Sequence, residues 1–302
     1  MNGCDVAGRH VVVTGGGNGI GAALAIEAAR RGAAVISVVD IDVDSARAVA
    51  DQISGDTGAS AEAHECDVSS SDAVEALAVR LVAEHGVPAL VCANAGVLGP
   101  TAPLLDTPPE VAEWVFGINV RGVLHTLQSF GRRMASSEEG GWLMATGSEH
   151  SLGIPHLNAG PYTASKHALL GVCDVLRREV PDHVGVSVLC PGLTTSELWR
   201  SVERRPAEFG GPGDADPTSG AFMENAGMPA ATVAERAFDG VAAGIFLIPT
   251  HYNALEYASS RADEVVEAFD RLAVVDTTDY DIGRLVGAML EQLAAGDDAD
   301  AS

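Results

Sequence analysis

The feature that most restricts the fold of this chain is a glycine-rich turn set between a strand pattern and a helix pattern. His10 to Thr14 is a short apolar, β-branched run. Thr14-Gly15-Gly16-Gly17-Asn18-Gly19-Ile20-Gly21 follows, and a helix pattern runs from about Ile20 to Arg31. Backbone N–H groups at a helix start bind pyrophosphate, and glycines let the backbone approach it closely. A tight structural turn would explain the glycines alone. Their place between strand and helix favours a phosphate cradle.

The same alternation continues to about residue 250. Strand patterns cover 34–40, 60–66, 89–93, 142–146, 185–189 and 246–248, and helix patterns cover 43–53, 71–84, 162–179 and 232–244. Another helix starts at Thr107-Pro108-Pro109-Glu110 and is expected to reach about Met134. There Thr107 reads as the cap and Glu110 as the partner that completes a capping box. This order predicts an α/β fold, a doubly wound parallel sheet of Rossmann type with helices on both faces. Ligands of such sheets lie beyond the carboxyl ends of the strands, so residues just after each strand are the informative ones.

Two stretches break the rhythm. Leu193 to Pro229 is rich in glycine and proline and reads as a long loop or a pair of short helices, expected to act as a substrate lid over 193–230. Leu193, Leu198, Trp199, Phe222 and Met223 are its candidates for an apolar pocket surface. Residues 251–302 read as a C-terminal helical extension, with helices at about 253–271 and 280–294 and an acidic, disordered end. Residues 1–250 form the expected cofactor-binding and catalytic domain.

Composition narrows the partners. With 47% hydrophobic residues in 302, one large core is affordable, and a net charge of -24 repels nucleic-acid backbones and anionic membranes. No segment approaches the roughly 20 apolar residues of a membrane span. Met1 to Arg9 shows no basic start followed by an apolar run, so a cytoplasmic protein is expected. The five cysteines are scattered and never form a C-x-x-C, so neither a disulfide framework nor a metal site is expected.

Several residues after the strands can carry chemistry. Asp40 ends the second strand, 19 residues after Gly21. A carboxylate there accepts ribose hydroxyls and repels the extra phosphate of NADP, unless Asp40 merely caps a helix. Asn18 in the loop is neutral, and Ile41 and Asp42 supply no basic neighbour. Asp67 and Val68 follow the third strand, where they meet an adenine edge or cap a turn. Asn94, Ala95 and Gly96 follow the fourth and leave room for a flat cofactor.

Tyr162 and Lys166, four apart, share one helix face. An ammonium stabilises a phenolate and lowers the tyrosine pKa from about 10. Lys166 is the only lysine in the chain, which otherwise uses arginine. Arginine cannot mimic a compact ammonium. Ser148 can polarise a substrate carbonyl, with Ser151 as its rival. Asn119, mid-helix, either bonds a neighbouring backbone or holds a water leading to Lys166. Glu149, His150 and His156 lie nearby, as ordinary loop polarity or as a second acid/base set.

Together these motifs resemble the short-chain dehydrogenase/reductase family in its T-G-x-x-x-G-x-G and Y-x-x-x-K form, from Arg9 to about Ile248. The resemblance implies NAD as cofactor, Tyr162 as acid/base, Lys166 as its partner and ribose ligand, Ser148 as the substrate-orienting group and Asn119 in a proton relay. It also implies that the segment after Pro191-Gly192 contacts the carboxamide through Thr194 and Ser196, and that the chain forms a homo-oligomer, a dimer or tetramer. Ala93 departs from the family's usual asparagine, and one extra residue separates Ser148 from Tyr162. The layout of Arg205-Pro206, Phe209-Gly210 and Phe246 to Pro249 is similar to a bacterial branch that includes aryl-ether Cα-alcohol dehydrogenases, which implies a bulky aromatic or alicyclic alcohol. A nucleotide-sugar epimerase or dehydratase, and a non-catalytic NAD-binding regulator, are the alternatives.

Overall fold

The computed structural model describes residues 3–271, 283–287 and 289. Seven parallel strands form one sheet: β1 (His10–Thr14), β2 (Val35–Asp40), β3 (Ser60–Glu65), β4 (Leu90–Ala93), β5 (Gly141–Thr146), β6 (Val184–Cys190) and β7 (Leu247–Pro249). Their spatial order is β3-β2-β1-β4-β5-β6-β7. The chain winds outward in one direction through β1 to β3, then returns to the centre at β4. That reversal opens a crevice at the carboxyl ends of β1 and β4.

Alternation along β1 shows how the two layers arise. Val11 and Val13 pack with α1 (Gly19–Arg30), α2 (Val43–Thr57) and α8 (Ala230–Ala242), through residues such as Leu24, Ile53 and Phe238. Val12 points the other way, into the cluster built on α3 (Ser71–His85), α5 (Val123–Ala135) and α6 (Gly160–Glu179). Successive side chains of a strand face opposite sides, so a continuous apolar run requires helices on both faces. Each fully buried leucine or phenylalanine in these layers, such as Leu24 or Phe130, contributes roughly 1.5–3 kcal/mol.

The long helix expected from Thr107 differs from the observed one. It starts later, as α4 (Pro109–Phe116), with Pro108 at the cap position and no side-chain cap. The Thr107 hydroxyl instead donates to the Pro103 carbonyl at 3.1 Å. A residue before proline is pushed out of helical conformation, so Pro109 forces Pro108 extended and moves the start one residue on. The expected capping box is thereby broken, because Glu110 no longer stands three residues after the cap. The run to Ala135 is also not uniform: a π-helical stretch, Gly117–Gly122, separates α4 from α5.

The 193–229 segment folds as short 3-10 stretches at Leu198–Arg204 and Ala207–Phe209 and a helix, α7 (Pro217–Ala226). Trp199 packs against Gly220, where an added Cβ would lie 2.5 Å from its ring, so it holds the segment together rather than lining a pocket. The last helix described in full, α9 (Ala254–Asp270), follows β7. One compact unit is Met1–Ser259 and a second is Ser260–Ser302. Residues 283–287 are helical, and the rest of the helix expected at 280–294, with the acidic end, lies almost wholly outside the described residues. No helix among the described residues is long and apolar enough to cross a membrane.

Candidate active site

One cavity of about 870 Å³ lies beyond the carboxyl ends of the strands. Gly15, Asn18, Gly19, Ile20 and Gly21 line it from the first turn, Asp40, Asp67 and Val68 from the ends of β2 and β3, and Asn94, Ala95 and Gly96 from the end of β4. Ser148, Tyr162, Lys166, Pro191, Gly192, Thr194 and Ser196 complete it. Asn119 and Ser151, of the residues singled out above for catalysis, stand behind this wall.

The glycine turn is shaped by close approach. A Cβ on Gly21 would lie 1.9 Å from the Gly15 carbonyl oxygen, and one on Gly15 would lie 2.7 Å from Ala95 Cα. No side chain caps the start of α1, and its first turn carries no acidic residue. Its N–H groups are therefore free to meet an anion. Asp40 does not cap a helix. Its Oδ2 accepts from Gly17 N–H at 2.9 Å and its Oδ1 from Asp42 N–H at 3.1 Å. The cap of α2 is Asp42, whose carboxyl is held below its usual range by hydrogen bonds from Ser45, with a smaller contribution from the Arg204 guanidinium.

Asp67 Oδ1 accepts from Ser69 N–H at 2.9 Å in a turn, and the residue lines the cavity. Asn94 ties β1 to β4. Its Nδ2 donates to the Thr14 and Gly15 carbonyls and its Oδ1 accepts from the Thr146 hydroxyl. A pyrophosphate-ribose group fits these residues: an uncapped helix start, a glycine turn that leaves its backbone bare, and a carboxylate at the end of β2.

At the other end of the cavity, Tyr162 and Lys166 project from α6, both nearly buried. Lys166 Nζ donates to the Thr146 carbonyl at 2.7 Å and lies 5.5 Å from the centre of the tyrosine ring. Burial holds the ammonium down to about 8. Burial likewise pushes the Tyr162 phenol up to about 12, with a hydrogen bond to Ser148 working against it and the Glu149 charge adding to it. In the chain by itself, then, the tyrosine moves opposite to the expectation from lysine proximity. Burial of the phenolate sets the direction, and the ammonium is directed at Thr146 instead.

The two candidate serines separate clearly. Ser151 Oγ donates to the Lys166 carbonyl at 2.8 Å and accepts from Ser148 N–H at 3.1 Å, so its hydroxyl is spent on the backbone. Ser148 faces the cavity and Tyr162. Asn119 Nδ2 donates to the Val97 carbonyl and Ser165 Oγ, and its Oδ1 accepts from Val97 N–H at 2.8 Å. Ser165 in turn donates to the Tyr162 carbonyl at 2.7 Å. The side chain thus clamps the segment after β4 to the start of α6.

His150 is a wall residue. It is buried, burial lowers its pKa to about 3, and its ring meets Tyr162 edge-on. Thr194 and Ser196 lie beside Pro191-Gly192, with Thr194 Oγ1 donating to the Gly192 carbonyl at 2.9 Å. The walls between these ends carry Leu193, Leu198, Phe222 and Met223, four of the five apolar residues expected there.

Residues 9–207 match the short chain dehydrogenase family model. The chain belongs to the short-chain dehydrogenase/reductase family. It is 36% identical to the probable oxidoreductase EphD of Mycobacterium tuberculosis over 189 residues, 62% of this chain and 31% of that protein. It therefore spans less than a third of the length of that relative. It is 35% identical over 212 residues to 1-deoxy-11-beta-hydroxypentalenate dehydrogenase of Streptomyces arenae, covering 68% of this chain and 73% of the other. A solved short-chain dehydrogenase/reductase from Burkholderia phymatum in complex with NAD has a TM-score of 0.80 and 27% identity, covering 87% of this chain and 96% of that one.

Some cavity residues of this family member were not legible in its sequence. Arg121 comes from the π-helical stretch and Arg204 from the 193–229 segment. Neither follows a strand, and Arg204 is brought near Asp42 only by the fold. Asn253 and Tyr257 reach the cavity from the region after β7.

Proposed function

We propose that this chain is an oxidoreductase that interconverts a secondary alcohol and its ketone, with NAD as hydride carrier. The observation that carries the reading is the convergence of Ser148, Tyr162 and Lys166 on one cavity whose other end is the glycine turn and Asp40. NAD, when bound, supplies the hydride acceptor for alcohol oxidation. The N-terminus of α1 holds the pyrophosphate, Asp40 the adenosine ribose, and Asn94 to Gly96 the floor. Lys166 holds the other ribose, and Thr194 and Ser196 the carboxamide.

Ser148 fixes the substrate oxygen by hydrogen bonding, and Tyr162 exchanges a proton with it. A phenol near 12 is fully protonated at neutral pH and poised to donate in ketone reduction. In the opposite direction the Lys166 ammonium stabilises the phenolate. Asn119 acts as a positioning residue, setting Tyr162 through Ser165. We assign residues 1–250 to cofactor binding and catalysis, with 193–230 covering the substrate. Apolar walls from that segment suit a neutral, bulky aromatic or alicyclic alcohol.

The test is a panel of secondary alcohols with NAD, read by NADH absorbance. Cyclic and aryl alcohols should be oxidised and small charged hydroxy acids should not. NADH binding with no turnover across the panel would instead mark a non-catalytic regulator, and a product formed without net NADH change an epimerase or dehydratase.

A chemical test uses the single lysine. An amine-directed acylating reagent should inactivate the enzyme in step with modification of Lys166, and NADH should protect, because it covers the ammonium's approach. An amine held near 8 is partly unprotonated at pH 8, so inactivation should be rapid there once the reagent enters the cavity. Complete acylation of Lys166 with activity intact would remove it from the mechanism.

A further inference from the structure

The wall beside Ser148 carries a carboxyl group that the proposed reaction does not use. Glu149 lines the cavity, and its N–H donates to the Pro191 carbonyl at 2.8 Å, which pins this residue against the turn after β6. Its Oε2 is buried and has no hydrogen-bond partner among the described residues. Gly192 makes the room for it: a Cβ there would lie 2.9 Å from that oxygen.

The polar neighbours cannot satisfy it. His251 Nδ1 accepts from Gly192 N–H at 3.0 Å and its Nε2 donates to the Leu193 carbonyl at 3.0 Å, so both ring nitrogens are committed. His156 Nδ1 donates to the Leu157 carbonyl at 3.2 Å. Its Nε2 then accepts from His150 Nε2 at 2.9 Å, and His150 Nδ1 accepts from the Thr163 hydroxyl at 2.8 Å. The ring nitrogens of both histidines are thus committed to one another, to Leu157 and to Thr163. Burial raises the Glu149 pKa, as it must for a carboxyl without a donor. A buried acceptor left unpaired is costly. Glu149 lines the cavity, so a turn of its side chain away from Gly192 presents this oxygen to a ligand hydroxyl.

We infer that Glu149 is a specificity residue that accepts a hydrogen bond from a second hydroxyl of the substrate, close to the carbon whose oxygen Ser148 holds. The preferred substrates are then diols and their hydroxyketones, not simple alcohols. This rests on the alcohol–ketone reading above and adds a polar requirement to its apolar walls.

The experiment compares matched pairs, cyclohexanol with cyclohexane-1,2-diol and 1-indanol with indane-1,2-diol. kcat/KM with NAD is measured for the parent, Glu149→Gln and Glu149→Leu. The parent should favour the diols by about 10- to 100-fold, the range for one hydrogen bond to a charged group. Glu149→Leu should lose that preference while gaining on the simple alcohols, and Glu149→Gln should retain part of it. A parent without diol preference, or a leucine variant that keeps it, overturns the inference. Calorimetric binding of the same four compounds to NAD-saturated Tyr162→Phe gives a readout independent of turnover. Diol-selective binding without turnover by the parent would uphold Glu149 and sink the redox reading. Equal or absent binding overturns Glu149 whatever the turnover.

Discussion

Tyr162→Phe is expected to fold, to bind NADH as the parent does, and to turn over about 100- to 10,000-fold more slowly. The substitution removes one hydroxyl from a side chain that is otherwise packed against His150 and near Lys166. The remaining ring keeps those contacts, and Ser148 keeps its bonds to His150 N–H and the Pro191 carbonyl. Lost stability should therefore be slight, while the hydroxyl proposed to exchange a proton with the substrate is gone. Loss of a positioned acid/base has the magnitude stated. The measurements are a thermal melt, an NADH fluorescence titration and kcat with the best alcohol of the panel. Retention of more than about a tenth of parental kcat would exclude Tyr162 from proton transfer.

NAD should be used about 100- to 1,000-fold better than NADP, as kcat/KM. Asp40 stands at the end of β2 with both carboxyl oxygens held by backbone N–H groups, so it cannot easily swing away from a ligand. A second anion about 4 Å away is repelled by up to about 4 kcal/mol at an effective dielectric of 20, which sets the upper end of that range. Arg204, exposed on the cavity rim, lies on the same side and offers a partial counterweight. Asp40→Asn, which can still accept from Gly17 N–H, should narrow the gap by at least about tenfold with little loss of stability. Adding Arg204→Ala should widen it again. Equal or better use of NADP by the parent would show that Asp40 does not govern the choice.

Most of the scaffold could be read from periodicity because each strand of a covered parallel sheet is a short apolar run and each crossover helix has one apolar face. The strand limits agree to within a residue or two for that reason. The errors lie where local chemistry competes. Pro108 and Pro109 displaced the start of α4, a conflict between a cap preference and the steric rule for residues before proline. The π-helical stretch has no signal in apolar spacing, since it shifts the register by less than a turn. In the site, residues that follow strands were legible because the fold class fixes where strands end. Arg204 was not, because it arrives from a segment without periodicity; Asn253 and Tyr257 were not, because they sit at the start of a helix whose placement beside the strand ends only the fold sets. The choice between Ser148 and Ser151 needed coordinates. Both hydroxyls meet backbone groups, Ser148 through His150 N–H at 3.2 Å and the Pro191 carbonyl at a long 3.5 Å, but only Ser148 also lines the cavity.

The π-helical stretch also sets a limit on how this chain can be stabilised. Gly117 and Gly122 are obvious targets for a helix-strengthening swap, worth about 1 kcal/mol each toward alanine in an ordinary helix interior. At residue 122 a Cβ would come within 2.6 Å of Val68, a cavity-lining residue after β3. Trimming one residue to restore regular winding would rotate everything beyond the cut by about 100°. Either Trp114 and Val115 on one side or Leu127 and Phe130 on the other would then leave their cores, and Asn119 would lose Val97 and Ser165. The irregular winding is thus a site of stability–activity trade-off, where a thermostabilising library should return few survivors even though the backbone there looks improvable.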